Sequence, residues 1–215
     1  MQKIKAVIFD LDGTLANTLP LCIQAFRQSI EPLVQRIITD QEIIATFGPS
    51  EEGTIMALAP GFYEKGLSDY LHFYESLHAM CPHLFAGMES ILQTLQQKEL
   101  PMAMVTGKGK HSTACSLKQF NALQYFSIIE TGSAAGPRKT EGIQSVLDQW
   151  KDIEKEAVIY VGDAPSDIEA CRRVGIPVIA AAWAETAEPA KLLQLGPDEI
   201  FYTVSDFARW LYAGI

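Results

Sequence analysis

Val7-Ile8-Phe9-Asp10-Leu11-Asp12-Gly13-Thr14-Leu15 sets two carboxylates two residues apart at the end of an apolar run. If that run is a buried strand, both acids stand at the carboxyl edge of a sheet, where open parallel sheets bind ligands. Two carboxylates held close repel each other unless a cation or a shared proton intervenes. A hard divalent cation with oxygen ligands satisfies them. Asp12-Gly13 taken alone would serve a turn equally well.

A second acidic pair, in Tyr160-Val161-Gly162-Asp163-Ala164-Pro165-Ser166-Asp167, argues against turns alone. Asp163 ends another apolar run, and Asp167 falls near the start of the next helical pattern. There it could cap the helix as well as serve a site. Folding does not require acids at two strand ends on one sheet edge, and clustering them costs stability. A bound metal explains the pattern.

Two further segments suit an anion. Met104-Val105-Thr106-Gly107-Lys108-Gly109 puts a hydroxyl and glycine-rich N–H groups after a strand, before a helix. Thr106 could instead cap that helix. Gly107-Lys108-Gly109-Lys110 adds a small basic spot useful to a phosphorylated substrate. Gly136-Pro137-Arg138-Lys139-Thr140-Glu141 precedes a helical pattern, and one cation there could offset both a phosphate and a charged nucleophile. Lys139 and Arg138 compete for that role.

The order DxDGT, apolar run with threonine, lysine, GDxxxD resembles the haloacid dehalogenase superfamily of phosphohydrolases over nearly the whole chain. Within it, the chain is most similar to the phosphoglycolate phosphatase and pyrophosphatase-like branch. The resemblance implies an α/β fold, a Rossmann-like parallel sheet core, with a helical-bundle cap of the C1 type after the first strand. It implies Asp10 as nucleophile and Asp12 as general acid and base, with Thr106 and Lys139 on the phosphoryl group beside Gly107 and Lys108. It also implies Mg2+ at Asp10 and Asp163, at the Asp12 backbone carbonyl, and with support from Asp167. Thr140 stands where the family often has proline. An acid at the second position, Asp12, favours phosphate chemistry over dehalogenation. The expected function is hydrolysis of a small phosphorylated metabolite. A β-phosphoglucomutase-type isomerase and an inorganic pyrophosphatase are the alternatives, and a phospho-acceptor without turnover is a third class.

The elements that must position these residues are legible as runs and stripes. Ile4–Phe9, Met102–Val105, Ser127–Glu130, Ala157–Val161 and Val178–Ala181 read as strands buried on both faces. Helical patterns cover Met88–Lys98, His111–Phe120, Gly142–Trp150 and Asp167–Val174, an alternation that argues for crossover helices on a parallel sheet. Phe201–Trp210 reads as an edge strand followed by a helix. From Ala16 to His83 the rhythm breaks into helices alone, at Leu19–Ser29, Thr39–Ala45, Ser50–Leu58 and Ser68–Ala79, punctuated at Gly48-Pro49, Pro60-Gly61 and Gly66. The expected division is a core of residues 1–15 and 84–215 with a helical cap of 16–83. Gly13, Ala16 and Leu84–Gly87 are its hinge candidates. Phe47, Gly48 and Ser50 are the cap residues expected to read the substrate. Phe62, Tyr63, Tyr70, Phe73 and Tyr74 are expected in the cap core, and His72, His78, His83 and His111 in surface or packing roles.

Composition narrows the partners. The 215 residues are 48% hydrophobic, enough for a full core. Seventeen Lys and Arg against 26 Asp and Glu give a net charge of −9, which repels nucleic acid in the absence of a basic run. Cys22, Cys81, Cys115 and Cys171 form no CxxC pair and read as reduced core thiols. No leader pattern opens the sequence, and no apolar run approaches the ~20 residues of a membrane span. A cytoplasmic monomer or homodimer without membrane partners is the expectation.

Overall fold

A computed structural model describes residues 3–215; Met1 and Gln2 of the expected core lie outside the described residues. Strand β1 (Ala6–Phe9) comes first and is fully buried. Four helices follow it: α1 (Leu19–Val34), α2 (Asp40–Ile44), α3 (Glu51–Leu58) and α4 (Tyr63–Ser76). The chain then alternates through α5 (Met88–Gln97), β2 (Met102–Val105), α6 (Lys110–Gln119), β3 (Ile128–Glu130), α7 (Lys139–Gln149), β4 (Val158–Gly162), α8 (Pro165–Val174), β5 (Val178–Ala181), α9 (Pro189–Leu195), β6 (Glu199–Phe201) and α10 (Val204–Gly214).

The strands form one parallel sheet in the order β3-β2-β1-β4-β5-β6. Every side chain of β1, β2, β4 and β5 is buried, which is why their sequences run apolar instead of alternating. Crossover helices cover both faces. On one, Val7, Phe9, Met102, Met104 and Val161 pack with Ile91, Leu92, Leu95 and Phe207. On the other, Ile8, Val105, Val158 and Tyr160 pack with Ile143, Val146, Ile168 and Cys171. The chain leaves β1 toward β2 and later returns to lay β4 against the other side of β1. That reversal opens a crevice at the carboxyl ends of β1 and β4, where such sheets hold ligands.

Helices α1–α4 bury a separate apolar cluster that includes Leu21, Phe26, Ile30, Ile43, Ile55, Tyr70 and Tyr74. Phe26 stacks on Tyr70 at 4.2 Å between ring centroids. Three expectations for this helical insert need correcting. Helix α1 continues past Ser29 through Pro32 to Val34. Gly66 lies inside α4, because a Cβ there would come within 2.8 Å of Ile55 Cγ2; it permits close packing of α3 on α4 and does not break the helix. Phe62 and Tyr63 are exposed, unlike Tyr70 and Tyr74. Phe62 would extend the buried stripe of Gly66, Tyr70 and Tyr74, but it precedes the helix in a one-turn 3-10 segment, Pro60–Phe62, and falls off that face. No described helix is long and apolar enough to cross a membrane.

Candidate active site

The register of the sheet lines up the acidic strand ends. Phe9 is level with Val161, so Asp10 and Asp163 leave adjacent strands at the same edge. The Asp10 N–H donates to the Val161 carbonyl at 2.9 Å, holding the residue in sheet geometry one step past β1. The chain then turns sharply at Gly13, which has φ of 71°. The Asp163 carboxylate occupies the space a Cβ on Gly13 would fill, so both the backbone angle and the close approach demand glycine. Thr14 Oγ1 is 3.5 Å from Asp163 Oδ1.

One carboxylate oxygen from each of Asp10, Asp163 and Asp167 lies within 4.8 Å of the others. Lys139 Nζ touches Asp10 Oδ2 and Asp167 Oδ1, each at 2.5 Å. When ionised, the three carboxylates would set three negative charges against one ammonium. All-oxygen donors with that excess suit a hard dication. Burial, reinforced by Asp10 and Asp167, pushes the Asp163 carboxyl well above the usual carboxylate range. Burial likewise raises Asp167, against the opposing pull of Lys139. Lys139 is held charged, because Asp10 and Asp167 outweigh the burial that would otherwise lower it.

Asp167 is fully buried and has a second duty. Its Oδ2 accepts from the Ala164 N–H at 2.9 Å, which ties down the start of α8, while Oδ1 accepts from the Tyr160 hydroxyl at 2.9 Å and from Lys139. Lys139 is the first residue of α7 and Arg138 precedes the helix. That difference separates the two cations: Arg138 turns to Glu130 at 3.2 Å and the Thr131 carbonyl at 3.0 Å, away from Asp10.

Asp12 stands outside the three-acid cluster. Its carboxylate accepts from the Thr18 hydroxyl and lies 3.3 Å from Lys108 Nζ. Lys108 is therefore not part of a solvent-facing basic spot. It is buried where the insert meets the core, 3.1 Å from Cys22 Sγ and with its ammonium 4.4 Å from the Tyr74 ring centroid. Burial alone would lower its pKa, but Asp12 and the other groups around it keep it raised.

Thr106 directly follows β2 at the same edge, buried, and its hydroxyl accepts from the Lys108 N–H at 3.3 Å. The cap position of α6 belongs to Gly109, not to Thr106. Gly107 shares this loop, and the Gly132 N–H donates to the Lys108 carbonyl at 2.8 Å, bracing it.

The insert reaches the loop through Ser50 and Glu51. The Ser50 N–H donates to the Ser133 carbonyl at 3.1 Å. The buried Glu51 carboxylate accepts from the Gly109 N–H at 2.6 Å and the Ser112 hydroxyl at 2.7 Å, capping a core helix from the insert side. Ser50 occupies the cap position of α3, yet its hydroxyl turns to Glu52. Phe47 packs on Phe26 at 6.1 Å between centroids, and Gly48 lies against Pro137. The sequence marks Glu51 only as part of the 46–52 segment expected to face the substrate, and it marks neither Thr18 nor Tyr160 for a role at the site. A tyrosine within a strand otherwise apolar is the one advance signal among these, since a buried hydroxyl needs a partner.

A family model described as haloacid dehalogenase-like hydrolase matches residues 7–181, the stretch from β1 through β5 that carries all these residues. The chain belongs to that family. Among haloacid dehalogenase-like relatives, the pyrophosphatase PpaX of Listeria welshimeri is 28% identical over 208 residues, covering 95% of this chain and 94% of the relative. A haloacid dehalogenase-like family hydrolase from Streptococcus pneumoniae superposes with a TM-score of 0.77 at 25% identity, covering 96% and 98% of the two chains. A predicted phosphoglycolate phosphatase from Haemophilus somnus 129pt shares the fold at a TM-score of 0.81 and 19% identity, over 98% and 99%.

Proposed function

We propose that this chain is a magnesium-dependent phosphohydrolase acting on a small phosphorylated metabolite, with Asp10 as nucleophile. The observation that carries this reading is the meeting of Asp10, Asp163, Asp167 and Lys139 at one sheet edge. The names of the PpaX relative and of the phosphoglycolate phosphatase neighbour agree with a phosphate substrate.

Asp10 and Asp163, with the Asp12 backbone carbonyl, would hold the ion, and Asp167 would support them. When bound, magnesium draws charge off the phosphoryl oxygens and lets an anionic carboxylate approach phosphorus. The chain supplies the rest. Asp10 forms a new oxygen–phosphorus bond as the bond from phosphorus to the bridging oxygen breaks. Asp12 gives its proton to that oxygen, and the leaving group departs. Asp12 then takes a proton from water as water attacks the aspartyl-phosphate, freeing Asp10 and inorganic phosphate. Lys139 offsets the charge of Asp10 and the phosphoryl group, and Thr106 with Gly107 contributes hydrogen-bond donors. Residues 16–83 act as a lid that excludes water, joined to a core of 1–15 and 84–215. The fixing of Ser50 and Glu51 to the core loops supports that role.

The test is phosphate release over a panel of phosphorylated metabolites with magnesium and without a sugar-bisphosphate activator. Wild-type protein turns over at least one of them, and Asp10→Asn abolishes turnover while keeping its melting transition. Normal turnover by Asp10→Asn rejects the reading.

A further inference from the structure

Lys139 carries a long, flexible side chain, yet its ammonium must meet Asp10 and Asp167 together. Where that side chain reaches depends on where α7 starts. A helix start is ordinarily fixed by a side-chain oxygen at the cap position. Arg138 holds that position here and makes no such bond, since a guanidinium has donors only. Another group must fix the first turn.

That group is Glu130, the last residue of β3. Its Oε2 lies 3.2 Å from Arg138 Nη1, which also donates to the Thr131 carbonyl at 3.0 Å. Its Oε1 accepts from the hydroxyl of Ser145, in the next turn of α7, at 2.7 Å. One carboxylate at a strand end thus holds the residue before Lys139 and a residue beyond it. Between these two anchors the helix sits directly on the sheet. A Cβ on Gly142 would come within 2.9 Å of Val105 Cγ1 and 3.2 Å of Glu130 Cβ. Glu130 also occupies the Arg138 charge. Without it, a second cation beside Lys139 would be drawn toward the same three acids.

We infer that Glu130 is a positioning residue: acting through Arg138 and Ser145, it sets the start of α7 so that the Lys139 ammonium bridges Asp10 and Asp167. The effect on turnover rests on the phosphohydrolase reading, whereas the placement of Lys139 can be measured apart from it. The Glu130–Arg138 pair is partly exposed, and such pairs add little to overall stability. What it contributes is geometry.

The experiment labels lysine with a nitrogen isotope and follows the Lys139 ammonium by NMR, using Lys139→Arg to identify its signal. In the wild type, two carboxylate partners slow its exchange with water. Glu130→Ala and Arg138→Ala each speed that exchange. Both lower kcat and kcat/KM together, by about tenfold or more, while the melting temperature moves little. Glu130→Gln keeps the length and one oxygen acceptor, and it retains more of both readouts than Glu130→Ala. Should Glu130→Ala fail to fold, Arg138→Ala and Ser145→Ala carry the test. A Lys139 signal unchanged by these substitutions overturns the inference, as does full kcat in their presence. A wild-type Lys139 ammonium that exchanges freely overturns it too, because nothing is then being held. Placement of Lys139 that depends on Glu130, in a protein that releases no phosphate from any metabolite of the panel, would uphold the positioning role and reject the hydrolase.

Discussion

The Tyr160 hydroxyl lies 2.9 Å from Asp167 Oδ1, joining the centre of the sheet to the base of the acidic cluster. The same hydroxyl lies 2.8 Å from the Val105 carbonyl of the strand two places away, so one proton serves two acceptors. Tyr160→Phe leaves both acceptors buried without it. The expected cost is about 1–3 kcal/mol, because an orphaned buried acceptor loses its full hydration. Melting temperature should fall by roughly 3–8 °C. Turnover should drop but persist, since Lys139 still holds Asp167. An unchanged melting temperature would show that the hydroxyl contributes nothing.

Magnesium should stabilise the protein more as pH rises. Asp163 and Asp167 hold protons in the folded protein above their ordinary value of 3.8. At these two sites the metal-free folded chain binds more protons than the unfolded chain, so their contribution to stability falls as pH climbs from 3.8 through the raised values. A dication takes the place of those protons and restores the lost stability. Thermal melts with magnesium and with chelator, from about pH 5 to about pH 8, should diverge with increasing pH. Parallel curves would mean that the acids do not share an ion.

Glu51 should act as a latch between insert and core. Glu51→Ala removes the acceptor for the Gly109 N–H and the Ser112 hydroxyl, at an expected cost of about 1.5–3 kcal/mol. Glu51→Gln keeps one oxygen acceptor and should lose less. Limited proteolysis should cut the alanine variant faster within residues 46–52 than the wild type. Identical cleavage patterns in all three proteins would remove Glu51 from any role in closure.

The sheet was legible because strands buried on both faces must be apolar throughout, and β1, β2, β4 and β5 are. Asp10 and Asp163 were legible because acids directly after such runs have no folding role. Choosing between Arg138 and Lys139 required the start of α7, one residue that the pattern does not mark. Gly66 misled because a glycine that admits a neighbouring helix looks in sequence like one that ends its own. The partners of Glu51 lie 58 and 61 residues away, and no local periodicity connects them. Lys108 read as a basic loop residue, since nothing nearby in sequence announces Cys22, 86 positions earlier, as its neighbour. Helix α9 was passed over: seven residues give barely two turns of pattern.

The strand order carries a consequence for biosynthesis. β1 leaves the ribosome long before β4, its neighbour on one side, because four further helices, two strands and their crossover helices lie between them in the sequence. Until then β1 can pair with β2 alone, and one of its edges stays open. A nascent chain therefore carries Asp10, the proposed nucleophile, long before Asp163 and Asp167. The candidate site is assembled only when β4 docks and brings Asp163 and Asp167 alongside Asp10.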